Sequence, residues 1–332
     1  LVEELHKRNL ERAAKRLNSK FFKILLAVAA TLTIWLLPAE SFGMANLTVV
    51  EQRIIGVFVF ATLMWLMEAI PAWTTSLIVV VLLLFMVSTS ALTPFVAGYE
   101  ADQLGVILKY EDILHCFADP IIMLFIGGFI LAIAATKYGL DATIARVLLK
   151  PFGTQSRFVM LGFIMVTGLF SMFVSNTATA AMMLAFLAPV LKALPADGKG
   201  KIGLALSIPV SANIGGMATP IGTPPNGIVL KYLNDPAGMN MNIGFGDWTA
   251  FMFPLTILLL FLSWIILLKM FPFKQKTINL EIPDNSQKGW RTTLVYITFF
   301  ATIVMWLFDK NLGLKTNAVA MLPVAVFCAT GI

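Results

Sequence analysis

The chain has 332 residues, of which 58% are hydrophobic and only 13% are charged. Soluble domains are usually about 45 to 50% apolar and about 25% charged, so a water-soluble fold is excluded. Several stretches reach the ~20 apolar residues needed to cross a bilayer as helix, and we therefore predict an all-α polytopic membrane protein. The net charge of +6 comes from Lys and Arg that flank the apolar runs. This indicates membrane topology rather than a nucleic-acid-binding face.

The first 20 residues mix charged and apolar side chains at helical spacing, for example Leu5, Lys7, Arg8 and Leu10. This pattern favours an amphipathic helix over 1–20 that lies on the membrane surface, and a solvated tail is the alternative. Four apolar runs then predict transmembrane helices at 21–37, 54–70, 75–90 and 120–137. An N-terminus in the cytoplasm brings nearly every Lys- and Arg-rich loop to the cytoplasmic side.

The segment 158–191 consists of two short apolar arms around the polar tripeptide Ser175-Asn176-Thr177, with basic residues on both flanks. Each arm rises only about 21 to 26 Å as a helix, which is short for a full crossing. We predict a re-entrant hairpin that enters and leaves the membrane on the cytoplasmic side, with its tip in a protein-lined or water-filled cavity. Two ordinary spans joined by an outside turn are the alternative.

The next segment, 202–231, predicts a second interrupted helix. It contains GGMATPIGTPPN over 215–226, in which three glycines and three prolines fall within twelve residues. Proline removes an amide donor and clashes with the preceding turn, so this stretch cannot continue as a helix. We therefore predict a discontinuous transmembrane helix rather than a helix kinked at one proline. Further spans are predicted at 248–270, 291–308 and 317–332.

A faint internal repeat relates FATLMWL at 60–66 to FATIVMWL at 300–307, and each copy is followed by an acid, Glu68 or Asp309. In the predicted topology the two copies cross the membrane in opposite directions, as in inverted-repeat secondary transporters. Chance similarity between apolar stretches is the alternative. If the repeat is real, 290–332 is the start of an incomplete second copy.

Two interrupted helices bring four helix ends close to mid-membrane, where each end carries a partial charge of about half an elementary unit. Free amides that begin the helices after Thr177 and after Thr223 favour an anion such as a carboxylate. The carbonyls that end the preceding arms suit a hard cation. Further neutral oxygens come from the side chains of Ser171, Ser175, Asn176, Thr177 and Thr219. The middle of both segments contains no Lys or Arg and no Asp, Glu or His. Since proton coupling would need such an acid or His, the sequence favours Na⁺ as the coupling ion.

At these residues the sequence resembles a known family. VSNTATAAMM around Asn176, followed by GGMATPIGTPPN, is similar to the first-half signature of the divalent anion/sodium symporters, the dicarboxylate and citrate carriers of the INDY type. The resemblance runs through the whole chain. It implies a homodimer in the plasma or inner membrane that transports succinate, malate, fumarate or citrate together with Na⁺. It also implies elevator-type alternating access, with a scaffold over 21–155 and a moving transport domain over 156–270.

The resemblance further implies roles for individual residues. The sodium ligands would be Ser171, Ser175, Asn176, Gly215, Gly216, Thr219 and Gly222. The substrate would contact Asn176, Thr177, Thr223 and Pro224.

The family carries a second Ser-Asn-Thr motif and a second broken helix, which this sequence lacks. We therefore expect the chain to hold half of a binding site, as a piece of a longer carrier or as an incomplete protein, and to bind no dicarboxylate by itself. A carrier of sulfate or another inorganic anion fits the same amide-based site. An ion channel is a further alternative, because re-entrant hairpins also form selectivity filters, although the other spans show no polar stripe. An enzyme is not favoured, because no HExxH, Ser/Lys or paired-Asp arrangement lies at membrane depth.

Overall fold

The computed structural model describes residues 19–43, 47–194, 198–278 and 289–332. Within these ranges the regular elements are helices, together with two isolated β-bridges, which confirms the all-α fold class. Nearly all of the surface helix expected over 1–20 lies outside the described residues. The chain divides into two compact units, Leu1–Ala118 and Asp119–Ile332.

The first unit contains three long helices, α1 (Lys20–Leu36), α2 (Val49–Met67) and α3 (Ala72–Val87). Short helices follow at Thr93–Val96 (α4), Ala101–Leu104 (α5) and Tyr110–Leu114 (α6), and 3-10 turns lie at Ala39–Phe42 and His115–Ala118. Helix α2 packs against both α1 and α3. Its buried side chains Phe60 and Met64 meet Ala27 of α1 in an apolar core.

Arg53 is a cation buried inside the first unit, with 8% of its surface exposed. Its guanidinium donates to the carbonyl oxygen of Met86 at 3.1 Å and to that of Phe95. These carbonyls lie at the ends of α3 and α4, where a helix carries partial negative charge. The guanidinium also lies 5.3 Å from the ring centroid of Phe95 and 5.6 Å from that of Tyr99, within the range of a cation–π contact. Arg53 therefore holds α3 and α4 to α2.

The second unit begins with α7 (Pro120–Lys137), α8 (Leu140–Leu149), a 3-10 turn at Lys150–Phe152, α9 (Ser156–Ser171) and α10 (Asn176–Ala193). It continues with α11 (Lys199–Gly215), α12 (Pro224–Asn234), α13 (Phe245–Met270), α14 (Trp290–Leu307), α15 (Asp309–Leu312), α16 (Thr316–Val319) and α17 (Met321–Thr330). One apolar core is formed by α8, α9, α10, α11 and α13. A second core is formed mainly by α7, α14 and α17. Helices α7 and α8, which the resemblance placed in a scaffold, lie in the same compact unit as α9 and α10.

The buried carboxylate of Asp309 joins several elements of the second unit. It accepts hydrogen bonds from the amides of Phe245 and Lys310, both at 2.8 Å, and from the hydroxyl of Thr316 at 3.0 Å. Trp306 stacks on Phe245 with ring centroids 5.3 Å apart. Because the first amides of a helix have no partner inside it, Asp309 caps α13 and connects it to α15 and α16.

Four segments of the described chain are long and apolar enough to cross a membrane: Val49–Met67, Tyr110–Lys137, Phe245–Met270 and Trp290–Leu307. This agrees with the predicted polytopic membrane protein. The arms of the predicted hairpin are shorter, with 16 residues in α9 and 18 in α10. At 1.5 Å per residue they rise about 24 and 27 Å. The re-entrant path of these arms stays a prediction.

Candidate functional site

The first interruption of helical structure lies at 172–175, between α9 and α10. The amides of Phe173 and Val174 donate to the carbonyl oxygen of Phe170 at 3.0 and 2.9 Å and so turn the chain. Ser175 is the N-cap of α10, and its hydroxyl accepts a hydrogen bond from the amide of Ala178 at 3.3 Å. A serine in this position satisfies one of the free amides of a helix start. The helix therefore restarts directly after the turn.

The second interruption lies at 216–223, between α11 and α12, within the segment predicted from the sequence. The amide of Ala218 donates to the carbonyl oxygen of Gly215 at 3.0 Å, which is a turn rather than a continued α-helix. Helix α12 starts with Pro224 and Pro225. Proline is tolerated in the first helical turn because its missing amide hydrogen would have had no partner there.

Asn226 links the start of α12 back to this second break. Its side-chain nitrogen donates to the carbonyl oxygen of Gly216 at 2.9 Å and to that of Thr219 at 2.8 Å. Gly216 and Thr219 are both buried, so the two carbonyls depend on a donor from the protein. The side chain of Asn226 thus fixes the shape of the break.

Replacing Asn226 by alanine is expected to lower the free energy of unfolding by about 1 to 3 kcal/mol, because two buried carbonyls lose their donor. Asn226→Asp is expected to cost more, since a carboxylate would face the two carbonyl oxygens. Thermal unfolding in detergent measures both effects, with Asn311→Ala, an exposed asparagine of α15, as the control. Equal melting temperatures for all four proteins would contradict this role of Asn226.

The two breaks lie side by side. The hydroxyl of Thr219 in the second break donates to the carbonyl oxygen of Met172 in the first and accepts from the amide of Gly222 at 3.1 Å. The backbones of α9 and α11 also approach closely, since a Cβ atom on Gly215 would lie 2.2 Å from the carbonyl oxygen of Gly168. A glycine is required at this crossing, and it brings the ends of the two helices together.

The Asn176 side chain lies where the two breaks meet. One terminal atom of its amide is 2.7 Å from the Ser171 hydroxyl, 3.3 Å from the Ala212 carbonyl oxygen and 3.2 Å from the Gly222 carbonyl oxygen. The other terminal atom is 3.1 Å from the side-chain amide of Asn213. Because the first atom faces three oxygens, the favoured orientation makes it the nitrogen, whose two hydrogens are shared among these oxygens. A single amide thus joins the end of α9, the end of α11 and the second break.

Gly216 provides the space that this amide occupies. A Cβ atom on Gly216 would lie 2.4 Å from the Asn176 side chain, and one on Gly222 would lie 2.5 Å from the Gly216 carbonyl oxygen. Any other residue at either position would push the neighbouring group away. The two glycines therefore allow the backbone to pass close to Asn176.

Most of the expected sodium ligands are buried, except Ser175 and Asn176, while the expected substrate contacts are partly or fully exposed. The buried members of the sodium set are Ser171, Gly215, Gly216, Thr219 and Gly222. Asn176 and Thr223 are partly exposed, and Thr177 and Pro224 are exposed. The cluster thus has a buried side lined with oxygens and an open side that a larger ligand can reach.

The structure brings most, but not all, of the expected sodium ligands together. Ser171 and Gly222 converge on Asn176, whereas the hydroxyl of Ser175 is the cap of α10 and is not among the atoms around this amide. Two neighbours of the amide were not expected, the carbonyl of Ala212 and the side chain of Asn213. Asn213 comes just before the two glycines, but its type and position alone did not distinguish it from an ordinary helical residue.

The two helix starts differ in the donors that they offer an anion. Helix α10 begins with Asn176 and Thr177, both of which have backbone amides, while the first two residues of α12, Pro224 and Pro225, have none. The amide of Asn226 is bonded to the carbonyl oxygen of Thr223 at 3.1 Å. Donors for a carboxylate therefore come mainly from α10, which the sequence treated as equivalent to α12.

Comparison with known proteins identifies a family. Residues 62–330 match the model of the citrate transporter family CitMHS. Over 323 residues the chain is 28% identical to an uncharacterized transporter of Schizosaccharomyces pombe, covering 96% of this chain and 35% of that protein. It is 31% identical over 275 residues to the sodium-dependent dicarboxylate transporter SdcS of Staphylococcus saprophyticus, covering 76% and 49%. It is 28% identical over 286 residues to the inorganic phosphate transporter PHO87 of Saccharomyces cerevisiae, covering 85% and 30%.

The chain spans about a third to a half of the length of these relatives. The family match nevertheless covers both interrupted helices and the residues around Asn176. It agrees with the resemblance to dicarboxylate and citrate carriers, and it identifies a transporter rather than an enzyme. The chain belongs to the citrate transporter family.

Proposed function

We propose that this chain supplies a sodium site and a carboxylate site to a sodium-coupled symporter of di- and tricarboxylates such as succinate, malate, fumarate or citrate. The observation that carries the proposal is the Asn176 amide, one atom of which is surrounded at 2.7 to 3.3 Å by oxygens of Ser171, Ala212 and Gly222. The family supports a citrate-like substrate. The name of the staphylococcal relative supports sodium dependence.

The oxygen cluster around Asn176 has the chemistry of a sodium site. Hard cations bind carbonyl, hydroxyl and amide oxygens, and the carbonyl ends of α9 and α11 add partial negative charge. Without an ion, the Asn176 nitrogen donates to the surrounding oxygens. Rotating this amide by half a turn replaces the nitrogen by an oxygen. The same oxygens, together with that of Asn176, would then coordinate the cation.

The substrate carboxylate would bind on the open side of the cluster. The amides of Asn176 and Thr177 begin α10, and the start of a helix favours an anion. The hydroxyls of Thr177 and Thr223 add donors, and Pro224 adds an apolar contact from α12. Sodium beneath the carboxylate would compensate its charge. Because Asn176 lies between the two ligands, each should bind more tightly when the other is present.

We also propose how the carrier assembles and moves. The chain would belong to a homodimer in the plasma or inner membrane, with a cytoplasmic N-terminus and the hairpin of 158–191 re-entrant from that side. The region 156–270 would move in an elevator-type cycle against a scaffold that includes 21–155. Support comes from the short arms, the broken helix and the position of the basic residues.

Inorganic anion transport is the second candidate function. One yeast relative is named an inorganic phosphate transporter. Backbone amides at a helix start bind phosphate or sulfate as well as carboxylate. The same cluster could therefore serve either class of anion.

Uptake by proteoliposomes that contain the complete gene product tests the proposal. Vesicles receive labelled succinate, citrate, sulfate or phosphate with and without an inward sodium gradient, and we expect succinate or citrate to accumulate only with the gradient. Accumulation of phosphate or sulfate alone would favour the second candidate. Equilibration without accumulation would favour a channel. Uptake that is unchanged by the sodium gradient and increases on acidification would contradict sodium coupling.

A further inference from the structure

A small cavity lies between α10 and the helices α7, α8 and α14. Its volume is about 20 Å³, and its polar lining consists of Thr136, Asp141 and Thr179. The remaining lining is apolar and includes Phe170 and Phe299. None of the three polar side chains belongs to the proposed sodium or substrate site.

Thr179 lines this cavity and has a buried hydroxyl without a partner in the described part of the chain. The residue is 0% exposed, and its Oγ1 has no hydrogen bond within the described part of the chain. Buried hydroxyls normally find a protein or water partner, because leaving one unpaired costs about 1 to 3 kcal/mol. Some buried helical threonines avoid this cost, as Thr302 does by donating to the carbonyl oxygen of Thr298 at 2.7 Å, whereas Thr75, Thr167 and Thr256 are unpaired in the described residues as Thr179 is. What distinguishes Thr179 is that it lines a cavity in which a water molecule can supply the missing partner.

Asp141 is an acid buried beside the same cavity. It is 6% exposed and lies at the start of α8, outside the membrane spans. Burial raises the pKa of Asp141 and outweighs the hydrogen bonds from the Thr136 hydroxyl and from the amides of Ala142 and Asp141, which lower it. The carboxyl group therefore takes up a proton more readily than that of an exposed aspartate.

No other titratable side chain of the described residues lines the cavity. The elements around it carry Lys137, Tyr138, Arg146, Lys150, Arg157, Lys192, Arg291 and Tyr296. Hydrogen bonds from Thr136 and from the backbone oppose the cost of burying the Asp141 carboxylate. An additional hydrogen-bond donor in the cavity would therefore change the balance between the charged and neutral forms of Asp141.

We propose that the cavity binds one water molecule bridging Asp141 and Thr179, and that Asp141 is a proton-binding group connected to the hairpin through this water. A cavity of this size holds one water, and three polar neighbours are the usual number for a buried water. Charged Asp141 accepts a hydrogen bond from the water, whereas protonated Asp141 donates one. The water must turn between these states, and the hydroxyl of Thr179 must turn with it.

The effect of this proton can reach the sodium site through α10. Thr179 lies one turn after Asn176, and its amide donates to the carbonyl oxygen of Ser175 at 2.9 Å. A charged Asp141 also favours a nearby cation more than a neutral Asp141 does. We therefore expect sodium to bind more tightly as Asp141 loses its proton, and sodium to promote that loss by the same factor. This coupling rests on the proposed function, while the water and proton site do not.

Infrared difference spectra between the wild type and Asp141→Asn, recorded from about pH 4 to pH 8, test the proton site directly. We expect the carboxylic acid band of Asp141 to persist above the pKa of an exposed aspartate, about 3.9. Thr179→Val removes one donor at nearly equal volume and should shift the titration to higher pH. Thr256→Val removes a second buried hydroxyl without a described partner, on α13, and should change nothing. The proposal would be overturned if Asp141 titrates with the pKa of an exposed aspartate, or if Thr179→Val leaves the titration of Asp141 unchanged.

Calorimetric sodium binding over the same pH range tests the coupling. The wild type should bind sodium about fivefold or more weakly at the acid end, and Asp141→Asn should keep the weak affinity at every pH. Wild-type sodium affinity that is constant while Asp141 titrates would overturn the coupling. A titrating Asp141 in a protein that binds no sodium at any pH would support the proton site and contradict the proposed function instead.

Discussion

Asn176→Ala is expected to weaken sodium activation and anion uptake together, each by about tenfold or more. The amide contacts Ser171 and the carbonyls of Ala212 and Gly222, so its removal takes one proposed ligand from the ion and releases the others from their common neighbour. Loss of a group that merely orients metal ligands already costs about 10- to 100-fold in affinity. The carboxylate loses a contact at the same time. Sodium and the anion raise each other's affinity by the same factor. The dependence of uptake on sodium concentration and its dependence on substrate concentration should therefore both shift.

Sodium-dependent uptake at varied sodium and varied substrate concentrations measures these two shifts. Asn311→Ala, an exposed asparagine on α15, is the matched control and should leave both unchanged. The melting temperature of Asn176→Ala should fall as that of Asn226→Ala does, since buried oxygens of Ser171, Ala212 and Gly222 lose a common neighbour, so uptake by Asn176→Ala and Asn311→Ala is compared at equal amounts of folded protein. A variant that loses substrate affinity but keeps its sodium dependence would show that Asn176 serves the anion alone.

The positions of both helix breaks could be predicted from local chemistry. Ser175 caps a helix start, and a serine between two apolar arms signals such a start in the sequence. The prolines of the second break cannot continue a helix, whatever surrounds them. Each signal acts within a few residues of the chain. For this reason the bounds of α9 to α12 lie close to the predicted segments.

The contacts between the breaks could not be predicted in the same way. Asn226 reaches Gly216 and Thr219 only because α12 leaves the break at a particular angle. The sequence suggested that the hydroxyl of Ser175 binds the ion, but it did not show that this hydroxyl also accepts a hydrogen bond from the Ala178 amide as the cap of α10. Asn213 meets that amide through the crossing of α9 and α11. Such contacts depend on packing between segments, which local patterns do not specify.

Local sequence patterns are also insufficient for identifying the groups that influence the coupling ion, as Asp141 shows. The sequence favours Na⁺ over protons because the two interrupted segments contain no acid or His in their middle, and Asp141 belongs to neither segment. It lines a cavity with Thr179 of the hairpin only because α8 and α10 come together in the fold. An acid far from a motif in sequence can thus act on it in space. The proposed sodium coupling and a proton-binding group at Asp141 are compatible in one protein, since the proton would change the affinity for sodium rather than replace it.

Gly215→Ala is expected to disrupt the crossing of α9 and α11. The added Cβ atom would lie 2.2 Å from the carbonyl oxygen of Gly168 and 2.6 Å from its Cα atom. Both obstacles are backbone atoms, so no side-chain rotation relieves the overlap and the helices must separate. Overpacking of a closely packed core usually costs about 1 to 3 kcal/mol, and a backbone clash belongs at the upper end or beyond. Separation would also move Ser171 away from the Asn176 amide.

Gly128→Ala is the matched control, because it makes the same chemical change in α7 of the same unit. Its Cβ atom would lie 3.7 Å from Cδ1 of Ile221, an ordinary van der Waals contact. Alanine also favours a helix over glycine by up to about 1 kcal/mol, so this variant should melt at or above the temperature of the wild type. Thermal unfolding in detergent and sodium-dependent uptake compare the pair. Equal stability and uptake for Gly215→Ala and Gly128→Ala would mean that the two broken helices do not need this close approach, and that the oxygen cluster around Asn176 forms without it.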